Sequence, residues 1–129
     1  MIENLNKEQL EGILEAVPLE ISFIDQNDLV KFWNKHETRI FKRPSSVVGK
    51  AVQNCHPKRS VDKVNQILSD FKSGGRDSAE FWINLGEKSV YIRYFAVRDK
   101  AGRYLGTLEA TQDITQIKKI EGEKRLLEY

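Results

Sequence analysis

Cys55 and His56 stand side by side, and a thiol and an imidazole make a nucleophile when their side chains meet. Neighbours in an extended loop point their side chains apart, and no Asp or Asn is placed by the sequence to orient the imidazole. Catalysis is therefore not expected. With His36, the other histidine, these residues would need added carboxylates to close a zinc site, so no metal site is expected either. Haem asks for less, because one or two axial ligands suffice. His56 is the first candidate, His36 the second, and Cys55 lies beside them. The plainer role for His56 is a loop residue before Pro57 whose ring bonds to backbone. Arg93 offers different chemistry. Turned into a cavity, it would be costly unless it met an anion, such as the carboxylate of a small ligand. Turned outward, it would pair with Glu80 or Glu109 on a neighbouring strand, and this is the favoured reading. Asn34 has the chemistry of a helix cap. Asp113 has that of a carboxylate at a helix N-terminus, tying the last strand to the C-terminal helix.

Several elements must position these residues. Leu10, Ile13, Leu14 and Val17 share one helical face. Asn6 and Gln9 are spaced for a capping box, and Pro18 is the stop. Leu19, Ile21 and Phe23 alternate with Glu20 and Ser22. Gln26-Asn27-Asp28 is turn chemistry, and Leu29 to Trp33 is rich in strand formers, so a hairpin is predicted. Asn34 is predicted to open a short helix ending near Ile40 and Phe41, before Pro44. Ser45 opens a further single turn, stopped by Gly49, and Ala51 to Pro57 is loop. Ser60 caps a longer helix with Val61, Val64, Leu68 and Phe71 on one face, ended by Gly74-Gly75. Three strands come next: Ala79 to Leu85, a second with Val90, Ile92, Tyr94 and Ala96 on one face, and Tyr104 to about Gln112. Short turns join them into an antiparallel meander. Beyond Asp113, residues Ile117, Ile120, Lys124 and Leu127 step by three, four and three, as in an amphipathic helix able to pair with a partner. The class is α+β.

At 129 residues the chain is one domain's length. A net charge of +2, mixed along the chain, gives no clustered basic face for nucleic acid. Hydrophobic content of 40% beside 31% charged excludes a disordered chain. A single cysteine excludes an intramolecular disulfide and any all-cysteine zinc or iron–sulfur site. The expected compartment is the reducing cytoplasm. Met1-Ile2-Glu3-Asn4 lacks the basic start of a secretory signal. No stretch approaches the ~20 apolar residues that cross a bilayer. Neither a nucleic acid nor a membrane is expected as a partner.

Leu29 to Lys50, through Val30, Phe32, Asn34, Ile40 and Gly49-Lys50, resembles the PAS pattern of strand, Asn, short helix and Gly-Lys. Gly102-Arg103-Tyr104-Leu105-Gly106, followed by Asp113-Ile114-Thr115, resembles the closing PAS segment, where an Asp-Ile-Thr motif joins the last strand to a signalling helix. Asn54-Cys55-His56-Pro57 and Arg93-Tyr94-Phe95-Ala96-Val97-Arg98 further resemble a prokaryotic family in which a PAS domain follows a hemerythrin-like domain. The resemblance covers roughly Leu5 to Lys119. It implies a five-stranded antiparallel sheet in the order 2-1-5-4-3, with short helices over one face and helices at both flanks. The expected division is a flanking helix at 1–18, a PAS-like core at 19–113 and a signalling helix at 114–129. Asn34, Gly49, Asp113 and Thr115 take structural or signalling roles.

The implied function is a cytoplasmic sensory or regulatory module, not an enzyme. It would bind a small ligand or cofactor in a core cavity and signal through homodimerisation and the C-terminal helix. The alternative is a ligand-free docking or dimerisation domain. Expected partners are a second copy, a small molecule, and an output or hemerythrin-like domain. The resemblance does not fix the cofactor. Haem-binding members carry the axial His on the longer helix, where this chain has none, which leaves His56 and His36. Asn54-Cys55 resembles the Asn-Cys of light-sensing flavin domains. His56-Pro57 departs from that motif, and where those domains place a Gln this chain has Thr111. Gln112 sits one residue on, hence on the other sheet face, so flavin is not expected.

Overall fold

The computed structural model describes residues 1–56 and 58–129, without the side chains of Cys55, Lys58 and Arg59. Pro57 and the Cys55 thiol, a candidate cofactor ligand, thus lie outside the described residues. A 3₁₀ turn at Ile2–Asn4 precedes helix α1, Lys7–Ala16. The expected capping box is present: the Gln9 amide donates to Asn6 Oδ1 at 2.8 Å and the Asn6 amide to Gln9 Oε1 at 3.1 Å. Strands β1, Glu20–Asp25, and β2, Val30–Trp33, form the first hairpin. Helix α2 spans Lys58–Ser73, and β3 (Ser78–Leu85), β4 (Lys88–Arg98) and β5 (Tyr104–Asp113) make the meander. Helix α2 starts two residues before Ser60, which sits inside its first turn rather than capping it.

All strand pairs are antiparallel, and the order is β2-β1-β5-β4-β3, as the resemblance implied. The 3₁₀ turns Ser45–Val47 and Val52–Cys55, with α2, lie over one face. The apolar part of the core beneath this cover is Ile24, Val30, Trp33, Val52 and Leu68. Gly49, at φ +79°, turns the cover back onto β2: its amide donates to Val30 O at 2.7 Å, and Val30 N donates to Lys50 O at 2.9 Å. Among the described residues no helix is long and apolar enough to cross a membrane.

Residues 34–44 do not form the short helix expected there. Asn34 caps nothing. Its Oδ1 accepts from the Ile21 amide at 2.8 Å, so it is not free for an amide three residues on. Its Nδ2 donates to Leu14 O at 2.7 Å and Leu19 O at 3.0 Å. Lys35 comes next at φ +52°, which stops any helical start. Asn34 is fully buried and ties the end of α1 to the start of β1. The apolar face of α1 stays open to solvent, with Leu10 and Ile13 exposed.

The C-terminal segment is helical only in one 3₁₀ turn, Ile117–Lys119, and not over 114–129. A short helix is marginal in water without packing on its apolar stripe, and within one chain Ile117, Ile120 and Leu127 meet no cover. Asp113 consequently does not cap a long helix. Its Oδ1 accepts from the Thr115 amide at 3.0 Å and the Thr115 hydroxyl at 2.5 Å. Thr115 Oγ1 in turn accepts from the Ser89 amide at 2.9 Å, and Ile114 N donates to Ser89 O at 2.8 Å. Asp113-Ile114-Thr115 is a clasp holding the exit of β5 against the start of β4.

Three outcomes are expected. Asn34→Ala removes three buried hydrogen bonds at roughly 1 kcal/mol each; denaturant unfolding should show a loss of about 2–4 kcal/mol, with faster amide exchange at Ile21. An unchanged midpoint would mean that α1 is held some other way. A Cβ on Gly106, at φ +157°, would collide with the Ile24 carbonyl and stand 2.6 Å from the Phe23 ring. Gly106→Ala should therefore cost about 3 kcal/mol, or roughly 10 °C in Tm. The Thr115 hydroxyl and then its amide hold the Asp113 carboxyl below its ordinary range. The clasp is thus fully formed above the unfolded carboxylate pKa of about 3.9 and is lost as pH falls through the lower folded value. A carbon-detected titration should place Asp113 below 3.9 and move it up toward the ordinary range in Thr115→Ala, which loses the hydroxyl and keeps the amide.

Candidate functional site

Strand alternation puts Glu20, Ser22 and Ile24 of β1 on the covered face. By register, Ser22 lies opposite Glu109 of β5, and Glu109 opposite Tyr94 of β4. Thr107 and Thr111 share this face. Glu20, Ser22, Thr107, Glu109 and Thr111 are all buried. The layer under the cover is therefore polar, and a carboxylate buried there needs partners. Ile21 and Phe23, the apolar half of β1, sit on the outer face instead.

The cover supplies the partners. Glu20 accepts from the Ile40 amide at 2.7 Å and the Phe41 amide at 3.4 Å. Arg39, 3% exposed, stands 3.8 Å from Glu20. It donates to the carbonyls of Ile21, Asn34 and Phe41 and to Ser22 Oγ, at 2.9–3.2 Å. Burial lowers its pKa, and the charge of Glu20 opposes that shift. A guanidinium still remains charged. These bonds give residues 34–44 their shape without a helical ladder.

A second pair joins cover to sheet. Arg43 Nη2 reaches the Glu109 carboxylate at 3.3 and 3.4 Å. Tyr94 stands opposite Glu109 in the β4–β5 register, on the same face. Burial raises the Tyr94 pKa, helped by the Glu109 charge, so the phenol stays protonated. Thr111 Oγ1 makes a longer contact of 3.5 Å to Glu109. Beside this pair lies a cavity of about 20 Å³, walled by Ser22, Ile24, Val30, Arg43, Val52, Tyr94, Thr107 and Glu109. Such a space holds about one water.

The candidate cofactor residues lie elsewhere. Arg93 is on the outer face, in register with Glu80 and Ala110. Its guanidinium stacks 4.8 Å from the Tyr91 ring centroid and 5.7 Å from that of Phe95. The inward, anion-binding placement is thus corrected by alternation. The expected pairing is corrected in part: Glu109 is on the opposite face, and Glu80 accepts from the Tyr91 hydroxyl. His56 Nδ1 donates to Val52 O at 3.0 Å, the backbone role. His36 is exposed, its ring centroid 5.1 Å from that of Trp33. Neither histidine walls the cavity, and a haem does not fit a space of this size. Among the described residues no three His, Cys, Asp or Glu side chains gather as metal ligands.

Sequence reasoning gave no site role to Glu20, Arg39 or Arg43, and it offered Glu109 only as an outward partner of Arg93. One signal could have found the carboxylates. Glu20 and Ser22 alternate in one strand, and Thr107, Glu109 and Thr111 in the strand that pairs with it. Two polar faces in adjoining central strands mark a wet inner layer. Arg39 and Arg43 lie in irregular backbone, where no period assigns a face.

Comparison with known proteins bears on this architecture. Residues 10–115 match the family model described as a PAS domain. Comparison with curated proteins finds no match. A C-terminal domain from Streptococcus mutans is 37% identical over 91% of each chain, with a TM-score of 0.85. The PAS domain of BvgS from Bordetella pertussis is 17% identical, covering 87% of this chain and 91% of that one, at a TM-score of 0.62. A sensory box sensor histidine kinase from Vibrio cholerae is 12% identical over 82% and 89%, at 0.59. The last two share the fold alone. The family match spans the sheet, its cover and the closing Asp-Ile-Thr, and the chain belongs to the PAS domain family.

Proposed function

We propose that this domain is a cytoplasmic sensory module that works by binding, not turnover. A small ligand enters the inner cavity and shifts the cover between two packings, each with its own affinity for the ligand. The observation that carries this reading is the Arg43–Glu109 pair, with one partner on the cover, the other on β5, and the cavity beside them. Glu109 lies four residues before Asp113, about 14 Å along one strand. A change at the pair therefore has a rigid path to the clasp and the C-terminal segment.

The output is a homodimer. Supporting it are the exposed Leu10 and Ile13 on α1 and Ile117 and Ile120 beyond the clasp. An output domain at either flank, a hemerythrin-like domain among the candidates, is the receiver. A ligand-free docking domain is the second reading, favoured by the outer sheet face. There Trp82 is 69% exposed, and Phe23, Phe32, Phe95 and Leu108 are only half-buried.

Native mass spectrometry of freshly purified protein tests both parts. A dimer that retains a small molecule is the expected result. A clean apo mass would move the assignment to the docking reading, and a monomer at high concentration would end the dimer.

A further inference from the structure

We propose that the inner cavity recognises a short aliphatic monocarboxylate, which competes with Glu109 for Arg43. This rests on the sensory reading and specifies its ligand.

The balance of donors and acceptors points to an anion. Arg43 walls the cavity, and its Nε is buried without a hydrogen-bond partner among the described residues. Trp33 Nε1 is a second such donor. Trp33 belongs to the same apolar cluster as Ile24, Val30 and Val52, which wall the cavity. The acceptor side is served, since the Glu109 carboxylate takes Arg43 Nη2 and the Thr111 hydroxyl. A buried donor left without a partner is costly. A ligand that relieves this cost brings acceptors.

The pair is also poorly seated. Its contacts of 3.3 and 3.4 Å both come from one terminal nitrogen, whereas a charge-assisted bond settles near 2.7–2.9 Å. A carboxylate lying along the Nε–Nη2 edge would make two parallel bonds, the geometry that a guanidinium fork favours. It would fill the idle Nε and draw Nη2 from Glu109.

The walls set the rest of the ligand. Ile24, Val30 and Val52 suit a short alkyl chain. The negative charge of Glu109 disfavours a second carboxylate or a phosphate dianion. The present volume takes about one water, so even an acetate-sized guest must lift the cover as it replaces Glu109. Binding and loosening of the cover are then one event.

The test is a titration of the ¹⁵N-labelled full chain with butyrate, read at the Arg43 Nε–H and Trp33 Nε1–H signals. Butyramide and butylamine serve as neutral and cationic counterparts. Butyrate should shift both signals saturably, and the counterparts should not. Affinity should fall about tenfold or more in Arg43→Gln and rise in Glu109→Gln, where the competitor has lost its charge. If circular dichroism shows Arg43→Gln unfolded, Glu109→Gln decides, since unchanged or weaker binding there overturns the competition. Equal shifts by butyramide or butylamine would overturn the carboxylate while leaving the cavity a ligand site. Silence from all three compounds would also overturn it, and the retained mass in native spectrometry would then decide the sensory reading separately.

Discussion

A carboxylate held under a layer of protein must find positive charge and N–H donors there, or the layer will not close. This domain buries two, Glu20 and Glu109, on the covered face of its sheet. That choice dictates the cover. Arg39 and the amides of Ile40 and Phe41 answer Glu20; Arg43 and Thr111 answer Glu109. The loop between β2 and the Ser45–Val47 turn takes the path that brings two arginines over two glutamates. Two of its backbone carbonyls, Asn34 and Phe41, are bonded by Arg39 in place of helical neighbours. Apolar burial from Ile24, Val30, Trp33, Val52 and Leu68 fills one end of the layer and leaves the polar end to be matched group by group.

The two ion pairs differ in kind. Arg39 has all three nitrogens engaged, on three carbonyls and a hydroxyl, and it acts as scaffold. Arg43 holds one carboxylate loosely and keeps an idle nitrogen. Rigidity and adaptability thus sit four residues apart in one loop. The outer face is built differently again. There Arg93 lies against Tyr91 and Phe95, so its charge meets aromatic faces and, among the described residues, forms no ion pair.

Much of the fold was legible in the residues. The Asn6–Gln9 capping box, the Gly74-Gly75 stop and the short turns after Leu85 and Arg98 mark boundaries through local chemistry, and local chemistry survives folding. Strand order came from the likeness at Leu29–Lys50 and Gly102–Thr115, since periodicity does not say which strands pair. The features that stayed hidden depended on distant partners. Alternation in β1 separates Ile21 and Phe23 from Glu20 and Ser22, but the apolar set is not the covered one, because Arg39 and Arg43 arrive from another segment. Asn34 has the look of a cap, yet the Ile21 amide claims its oxygen. The spacing of Ile117, Ile120 and Leu127 has helical period, but periodicity becomes a helix only against a surface. For Cys55-His56, adjacency suggested chemistry, and the one described side chain of the two is engaged with its own backbone.

The attachment of α1 has a mechanical meaning. Its last turn is bonded to Asn34 and Lys35, whereas its apolar side touches little. A rod of ten residues is about 15 Å long. Pinned near one end, it behaves as a lever, and a tilt of about ten degrees at the pivot would sweep its tip by roughly 2–3 Å. Because the pivot is the residue that also opens the loop carrying Arg39 and Arg43, sub-ångström motion in that loop is geared up at the far end of the rod.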